Sequence, residues 1–413
     1  MHMILRRLCC LVLLMAATAC AAVQREVTPP LPAGPQPEHA FNLGEVRFVQ
    51  VQADRIPALT SLSREGLKRA ANANRTFLEA ALIKQTGAME RAFLARLLKA
   101  NLTLEALIEQ PDCDDITVFN QKLHRQFVFY APEDTTGLKD APKDAASVLV
   151  TGYFQPELSA SEVRTQEYTY PLYATPSDLL QADLQDFDKT LPARTIFGRV
   201  VGNRLTPYYT RAEIEQGALP VNTPVLAWLA SPVEGLMLHI QGSGILVFPN
   251  GERRFVHYAA NNGHSYRSVG KWLVEQGILP LEQVSWQSIE AWAKANPERF
   301  LQASFTNPRY IFFRFEKDGP LGVTGRRLEP MHSIALDRDI YGLGGLFLLC
   351  IDGFNGGQPF ASLVFHQDVG SAIQGPHRVD LYVGEGHEAG NMAGRLKNTG
   401  RLFLLLPQDG PND

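Results

Sequence analysis

Apolar side chains between residues 57 and 110 recur at the spacing of an amphipathic helix, as in FLEAALIKQTGAMERAFLARLLKANLTLEALIEQ. Most of the other residues in this segment are good helix formers. The pattern predicts two or three helices whose leucine and alanine stripes face a core. The same spacing at 281–302 predicts a further amphipathic helix, in which Trp286 and Trp292 pack in the interior rather than bind a ligand.

After residue 110 the pattern changes to short runs in which apolar and polar residues alternate between turn residues. This alternation predicts strands at 127–132 (FVFYAP), at 147–161 (SVLVTGYFQPELSAS) and at 307–315 (NPRYIFFRF).

The sequence RVDLYV around Asp380 also alternates, so a strand would place Arg378, Asp380 and Tyr382 on one face. An exposed aspartate–arginine pair on a half-solvated strand is the simpler interpretation of that face. An aspartate beside an arginine and a tyrosine, between two glycine turns, would nevertheless be an unusual choice if packing were its only role.

The segment from Phe365 to Gly400 holds two aspartates, Asp368 and Asp380, within a dense series of glycines. Glycine at this density marks turns with positive φ and places where the backbone passes close to other groups. The segment is therefore predicted to be tightly folded and not a linker.

Residues 239–244, HIQGSG, are interpreted as a strand on which His239 and Gln241 share a face, followed by backbone that closes around Ser243. Amide, hydroxyl and backbone N–H groups at a glycine-flanked turn would suit an N-acetylated sugar, which needs neutral, directional partners. A plain β-turn is the alternative interpretation of this short motif.

The chain begins with MHMILRRLCCLVLLMAATAC, in which two arginines precede a short apolar run and small residues. This pattern predicts a signal peptide over 1–19, too short to span a bilayer as a stable helix. ATAC resembles a bacterial lipobox, which implies lipidation of Cys20 and an anchor at the periplasmic face of the outer membrane of a Gram-negative bacterium. Ordinary secretion is the alternative. The proline-rich residues that follow read as a tether.

The 413 residues include 39 basic and 43 acidic side chains, without a basic stripe, which argues against nucleic-acid binding. The ten histidines are scattered and form no H-x-x-x-H unit, so no metal site is predicted. Cys113 and Cys350 would remain after lipidation, and the sequence leaves open whether they form a disulfide.

The glycine-rich segment resembles the three-aspartate (3D) domain of bacterial cell-wall lytic enzymes. The family pattern D-[ST]-G-G-A-I-K-G corresponds to DVGSAIQG, and R-x-D-x-[FY]-x-G corresponds to RVDLYVG. Asp337, in IALDRDIYGLGG, corresponds to the third aspartate and is expected to brace the fold. Ser371 and Gln374 depart from the pattern but leave Asp368 and Asp380 in place.

Further motifs resemble the membrane-bound lytic murein transglycosylase A family. They are TGYFQPE, YTYPLYATP, PYYTRAEIEQGAL, HIQGSG and YAANNGHSYRSVG, all in collinear order. In the third of them, Thr210 is placed to cap a helix together with Glu213. The chain is identified as a member of this family, with the resemblance covering residues 147–405.

The resemblance implies a mainly β fold with N-terminal helices (α+β). A double-psi β-barrel would be accompanied by a second, inserted smaller β-barrel, with a groove between the two. The predicted segments are the signal peptide at 1–19, the lipid-anchored cysteine and tether at 20–40, the helices and first barrel strands at 41–156, the inserted domain at 157–305 and the 3D domain at 306–410.

The family also implies cleavage of the β-1,4 bond between N-acetylmuramic acid and N-acetylglucosamine, without water, to give a 1,6-anhydro end. An internal nucleophile removes the need for the second carboxylate of ordinary glycosidases. Asp380 occupies the position of the family's catalytic acid, and Asp368 is the second candidate. Gln241, Ser243, Tyr153 and Asn262 are the predicted glycan contacts.

No cofactor is implied by this chemistry. The expected partners are peptidoglycan glycan strands and, through Cys20, the outer membrane. Proteins of a cell-wall synthesis complex remain open as partners, and a monomer is expected. An aspartic protease is disfavoured because its second D-[TS]-G triplet is missing, whereas a non-catalytic peptidoglycan-binding lipoprotein on the same barrel remains the alternative.

Overall fold

The computed structural model describes residues 40–43, 46–133, 146–370 and 372–408. The predicted signal peptide, Cys20, nearly all of the tether and Ser371 lie outside these ranges. No helix within them is both long enough and apolar enough to cross a membrane.

The N-terminal part combines the first strands with two long helices. Its elements are β1 (Ala40–Leu43), β2 (Val46–Gln50), α1 (Arg64–Lys84), α2 (Ala88–Ile108), α3 (Ile116–Gln126), β3 (Phe127–Pro132) and β4 (Ser147–Gln155). The helices predicted between residues 57 and 110 are confirmed as the pair α1 and α2. Asp115 begins α3 by accepting a hydrogen bond from the Thr117 N–H.

The middle part alternates short strands with short helices. Its strands are β5 (Glu157–Ser161), β6 (Tyr170–Tyr173), β7 (Leu180–Asp183), β8 (Thr195–Val201), β9 (Arg204–Pro207), β10 (Val225–Leu229), β11 (Ser243–Val247), β12 (Arg253–Asn261) and β13 (Ile311–Glu316). Its helices are α4 (Leu184–Phe187), α5 (Arg211–Glu215), α6 (Pro232–Gln241), α7 (Val269–Glu275), α8 (Trp286–Ala295) and α9 (Pro297–Phe305).

The C-terminal part returns to longer strands. Its elements are β14 (Ser333–Ala335), β15 (Leu346–Gly353), α10 (Phe354–Gly357), β16 (Gln358–Asp368), β17 (Arg378–Glu385), α11 (Gly386–Arg395) and β18 (Lys397–Pro407). The strand predicted around Asp380 is confirmed as β17.

The larger sheet has the order β1-β2-β3-β18-β15-β16-β14-β17-β4. Strand β18 also pairs with β4, from Lys397 opposite Thr151 to Arg401 opposite Ser147. This pairing joins β18, β15, β16, β14, β17 and β4 into a continuous ring of hydrogen-bonded neighbours. Two pairs in the ring, β14 with β16 and β17 with β4, are parallel.

The smaller sheet has the order β13-β12-β11-β5-β10-β6, and β7, β8 and β9 form a separate three-stranded sheet. A parallel bridge between Ala174, just after β6, and Phe313 of β13 connects the two edges of the smaller sheet. The chain enters this sheet after β4 and leaves it before β14, so the smaller sheet is an insertion in the sequence of the larger one.

The prediction of a strand at 239–241 is wrong, because His239 and Gln241 lie in the last turn of helix α6. Ser231 caps the start of that helix by accepting from the Val233 N–H, and Pro232 occupies its first position. Gly242 ends it in the left-handed conformation, at φ 77°. Ser243 therefore begins β11 after a helix and not within one continuous strand.

Two other segments are divided by proline. The helix predicted at 281–302 is two helices, α8 and α9, because Pro297 begins a second helix directly after Asn296. The strand predicted at 147–161 is β4 and β5, separated by Pro156. The capping box predicted for Thr210 and Glu213 is confirmed.

The core of the larger sheet is divided into two apolar clusters. One packs helices α1 to α3 against the sheet and contains Leu104, Phe119 and Phe365, whereas the other includes strand residues of the ring such as Val150, Val379 and Leu404. Burial of each large apolar side chain contributes about 1.5–3 kcal/mol. Cys113 and Cys350 both lie buried in the first cluster as free thiols, so they do not form a disulfide.

Candidate active site

Asp368 and Asp380 are brought together by a short strand between them. Ala335 of β14 pairs with Asp368 of β16 on one side and with Asp380 of β17 on the other. Neighbouring strands lie about 4.8 Å apart, so the two backbones are separated by roughly 10 Å. The side chains of both aspartates are half-buried.

In the part of the chain that the structure describes, Asp380 has one hydrogen-bond donor, the hydroxyl of Thr151, which donates to Oδ1 at 2.7 Å. Thr151 lies directly opposite Asp380 on the parallel neighbour β4. Burial raises the pKa of Asp380 to about 6, against the opposing effects of the Thr151 hydrogen bond and the Arg378 guanidinium. The negative charge of Asp368 adds to the rise in the pKa.

Asp368 accepts three hydrogen bonds from residues within the described ranges. The Tyr153 hydroxyl donates to Oδ2 at 3.0 Å, and the Val323 and Val369 N–H groups donate to Oδ1 at 3.1 Å and 2.9 Å. Burial raises the pKa of Asp368, while the Val369, Tyr153 and Val323 hydrogen bonds oppose the rise because they stabilise the ionised carboxylate.

Tyr153 is hydrogen-bonded to Asp368 and lies near the charge of Asp380. Burial and the nearby charges of Asp368 and Asp380 raise its pKa well above the ordinary value, so its hydroxyl keeps its proton as a donor. Its ring lies 5.4 Å from the ring of Tyr382, measured between centroids. Tyr153 and Thr151 are two residues apart on β4 and therefore point to the same face of the strand.

Asp368 opens into a cavity of about 620 Å³ between the larger sheet and the smaller one. We call this cavity the groove. From the larger sheet and its loops it is lined by Leu321, Val323, Leu336, Asp337, Arg338, Asp339, Asp368, Val369, Gly370, Ile373 and Gln374. From the smaller sheet and helix α6 it is lined by His239, Ile240, Gln241, Gly242, Ser243, His257, Tyr258, Arg309 and Ile311.

Gln241 and Ser243 lie on the wall of the groove opposite Asp368. Gln241 Oε1 accepts a hydrogen bond of 3.3 Å from the backbone N–H of Phe154, which ties the end of α6 to β4. Gly244 allows the close approach of α6, because a Cβ atom there would lie 2.5 Å from Leu238 Cδ1. The structure thus brings two predicted contacts to the same cavity as Asp368.

The prediction of Asn262 as a glycan contact is contradicted by its position. Its side chain is only 1% exposed and does not line the groove. Its amide donates to the carbonyls of Tyr209 and Pro308, each at 2.8 Å, and its Oδ1 accepts from the Tyr310 N–H at 2.8 Å. Asn262 therefore holds three backbone segments together.

Asp337 lies on the rim of the groove, but its carboxylate accepts hydrogen bonds from backbone N–H groups. Its Oδ2 accepts from the Gly375 N–H at 2.8 Å and its Oδ1 from the Asp339 N–H at 3.0 Å. The Gly375 contact connects the loop after β14 to the turn before β17, and the Asp339 contact closes a turn within that loop.

Sequence reasoning did not single out Thr151, the partner of Asp380, although it begins the TGY motif that supplied Tyr153. It also passed over His257 and Arg309, which line the groove from β12 and from the loop before β13. No motif position distinguished these side chains, because their role depends on the packing of one sheet against the other.

Within the described ranges, no group of three or more histidine, cysteine, aspartate or glutamate side chains is arranged to hold a metal ion.

Comparison with known proteins gives matches over both sheets. A family model described as the MltA specific insert domain matches residues 149–314, and one described as the 3D domain matches residues 332–406. The chain is 33% identical to the membrane-bound lytic murein transglycosylase A of Escherichia coli K12 over 272 residues, which cover 64% of this chain and 67% of that protein.

Solved structures match over most of the chain. The crystal structure of a membrane-bound lytic murein transglycosylase from Agrobacterium tumefaciens superposes with a TM-score of 0.71 at 26% identity, over 87% of this chain and 97% of that one. The monoclinic crystal form of MltA from Neisseria gonorrhoeae gives a TM-score of 0.68 at 30% identity, over 90% and 95% of the two chains. Asp368 and Asp380 lie within the 3D match, and Gln241 and Ser243 within the insert match.

Proposed function

Because the chain belongs to the membrane-bound lytic murein transglycosylase A family, we propose that it is a peptidoglycan lytic transglycosylase in which Asp380 is both acid and base. The bond cleaved is the β-1,4 linkage between N-acetylmuramic acid and N-acetylglucosamine. The product is a 1,6-anhydromuramyl end. The observation that carries this proposal is the unequal environment of two neighbouring carboxyl groups, Asp368, which lines the groove, and Asp380, which lies on the other side of β14.

The unequal environments separate the roles of the two carboxyl groups. Among the described residues, the Thr151 hydroxyl is the only hydrogen-bond donor to Asp380, and burial raises the pKa of Asp380 to about 6, so about a tenth of the molecules carry this proton at pH 7. Asp368 is surrounded by three donors that favour its charged form. Two carboxyl groups with such different surroundings suit an acid and a stabilising anion.

In the first step Asp380 donates its proton to the glycosidic oxygen, and the bond from that oxygen to the muramyl C1 breaks. Positive charge develops on the muramyl ring, where the ionised Asp368 stabilises it. The leaving fragment departs with a free hydroxyl group, and Asp380 becomes a carboxylate.

In the second step the muramyl O6 attacks C1 of the same residue and its proton passes to the Asp380 carboxylate. The 1,6-anhydro ring closes, and Asp380 returns to its protonated state. No water is consumed, which is why the enzyme is classed as a lyase and why a single proton-transferring carboxyl suffices.

Gln241, Ser243 and Tyr153 are proposed to position the glycan. The first two supply neutral amide and hydroxyl groups on the groove wall opposite Asp368. Tyr153 orients Asp368 through the 3.0 Å hydrogen bond from its hydroxyl.

We also propose the finer architecture and location. The ring of six paired strands supports a double-psi β-barrel, and the edge-to-edge bridge supports an inserted smaller barrel. The lipobox supports a lipid anchor on Cys20, at the periplasmic face of the outer membrane. The protein is proposed to work there as a monomer.

Mass spectrometry of the soluble products from purified sacculi tests this function. The chain without its lipid should release muropeptides about one water lighter than reducing ones, and Asp380→Asn should release none. Reducing ends would indicate a hydrolase that uses Asp368 as the second carboxylate. Binding to sacculi without any product from either protein would favour a non-catalytic peptidoglycan-binding lipoprotein.

A further inference from the structure

A second cavity meets the groove at Arg338. It has a volume of about 610 Å³ and lies between the turn that joins α1 to α2 and the loops on either side of β14. We call it the side cleft. Among the described residues, Arg338 lines both the side cleft and the groove, so the two cavities are neighbours at this side chain.

The floor of the side cleft is apolar. Phe77 on α1 and Phe93 and Leu94 on α2 supply most of it, with Leu43 and Leu343 at the margins. All five side chains are partly exposed, although the helices that carry three of them are otherwise packed against the sheet. An apolar floor with charged groups at its edge is typical of a binding site for a small, amphipathic ligand.

The charged groups of the side cleft are mostly positive. Lys84, Arg326 and Arg338 line it against a single acidic residue, Glu90. No carboxylate within the described ranges forms an ion pair with any of the three cations. Arg326 donates to the carbonyl of Thr76 at 3.4 Å, and its Nε is buried without a hydrogen-bond partner among the residues that the structure describes.

This positive edge is a local feature, because the chain as a whole has a formal net charge of −4. Asp337 and Asp339, which flank Arg338 in the sequence, line the groove and not the side cleft. The side cleft therefore offers unpaired cations next to a groove that carries the acidic residues.

We propose that the side cleft binds the short peptide that branches from the muramic acid residue held in the groove. The proposal rests on the function proposed above and assigns a second part of the same substrate. The glycan backbone of peptidoglycan is neutral where its lactyl groups carry peptides. Binding of the glycan alone therefore does not explain the positively charged edge of the side cleft. The stem peptides combine free carboxylates with short aliphatic side chains, which match the cations and the apolar floor.

The test compares two soluble substrates, glycan strands with their stem peptides and the same strands after removal of the peptides by an amidase. The wild-type chain should cleave the peptide-bearing strands with a kcat/KM about tenfold higher, from two or three partly exposed charge contacts. The double variant Lys84→Gln/Arg326→Gln should lose this preference and keep its activity on stripped strands. Both residues line only the side cleft.

Two controls accompany the double variant. Lys189→Gln removes an exposed lysine outside both cavities and should keep the full preference. Lys84→Gln alone, at the exposed end of α1, gives a variant whose folding is not at risk and should lose part of the preference. Raising the salt concentration to about 0.5 M should reduce the preference of the wild-type chain, because it screens the charge contacts.

Equal cleavage of both substrates by the wild-type chain would overturn the peptide assignment while the anhydro products still supported the proposed function. An equal loss on both substrates in the double variant would also overturn it, by assigning the side cleft to the glycan. If the wild-type chain cleaved neither, the proposed function would fail. The peptide assignment would then be decided by NMR titration of Asp380→Asn with a free stem tetrapeptide, where unchanged Phe77 and Phe93 ring signals would refute it.

Discussion

Replacing Asp380 with asparagine should stabilise the protein at neutral pH while removing its activity. Burial raises the pKa of this carboxyl group from 3.8 to about 6. Each unit of difference corresponds to about 1.36 kcal/mol, so ionising the group in the folded state costs roughly 3 kcal/mol. Because the side chain is only half-buried, we expect a realised gain of about 2 kcal/mol in the variant.

The direction in which the free energy of unfolding changes with pH follows from proton binding. The folded-state pKa of Asp380 lies above its unfolded value, so the folded protein binds the additional proton between pH 3.8 and about 6. The free energy of unfolding of the wild-type chain therefore decreases as the pH rises through that window. Asparagine has no such dependence, and its oxygen still accepts the hydrogen bond from Thr151.

Urea unfolding followed by circular dichroism measures the effect. At pH 3 the two proteins should have equal free energies of unfolding, and at pH 7 the variant should be the more stable by about 2 kcal/mol, with an unchanged slope against urea. Asp186→Asn, which removes an exposed aspartate on α4, is the matched control and should show no gain. A variant no more stable than the wild-type chain at pH 7 would refute the claim that burial raises the pKa of Asp380.

Three further predictions concern activity and stability. Because Asp380 must be protonated to act, kcat/KM should fall about tenfold per pH unit above pH 6, and a flat profile would contradict its role as the acid. Tyr153→Phe should lower kcat about tenfold, because it removes the hydrogen bond that orients Asp368. Tyr382→Phe should leave kcat unchanged, because the buried Tyr382 hydroxyl has no hydrogen-bond partner within the described ranges. Equal effects of the two substitutions would argue against the orienting hydrogen bond. Asn262→Ala should lower the free energy of unfolding by about 2–4 kcal/mol, because it removes three hydrogen bonds to the backbone. The KM for soluble glycan should not change. A raised KM would show that Asn262 contacts the glycan after all.

The local pattern of the sequence predicted single elements well where one periodicity governs a segment. The alternation around Asp380 predicted strand β17, and the apolar stripes before residue 110 predicted α1 and α2. The strand interpretation of 239–244 fails because Gly242 ends a helix in the left-handed conformation and is not part of a continuous strand.

The residues that form the site are brought together by strand pairing, which the local sequence pattern does not specify. The sequence places Asp368 and Asp380 twelve residues apart, but their shared partner Ala335 follows from the register of β14, which no local pattern specifies. Thr151 became relevant through its pairing with Asp380 on a strand more than two hundred residues earlier. For Asn262 the motif predicts a glycan contact that the structure does not place in the groove. A motif position alone does not distinguish a buried bracing amide from one that faces a ligand.

The central claim, that the muramyl O6 and not water is the nucleophile, is tested most directly by digestion of sacculi in water enriched in oxygen-18. The products should carry 1,6-anhydro ends without any heavy oxygen, because no solvent oxygen enters the new bond at C1. Reducing ends that carry one heavy oxygen would contradict the account, because they would show that water, activated by a second group such as Asp368, is the nucleophile.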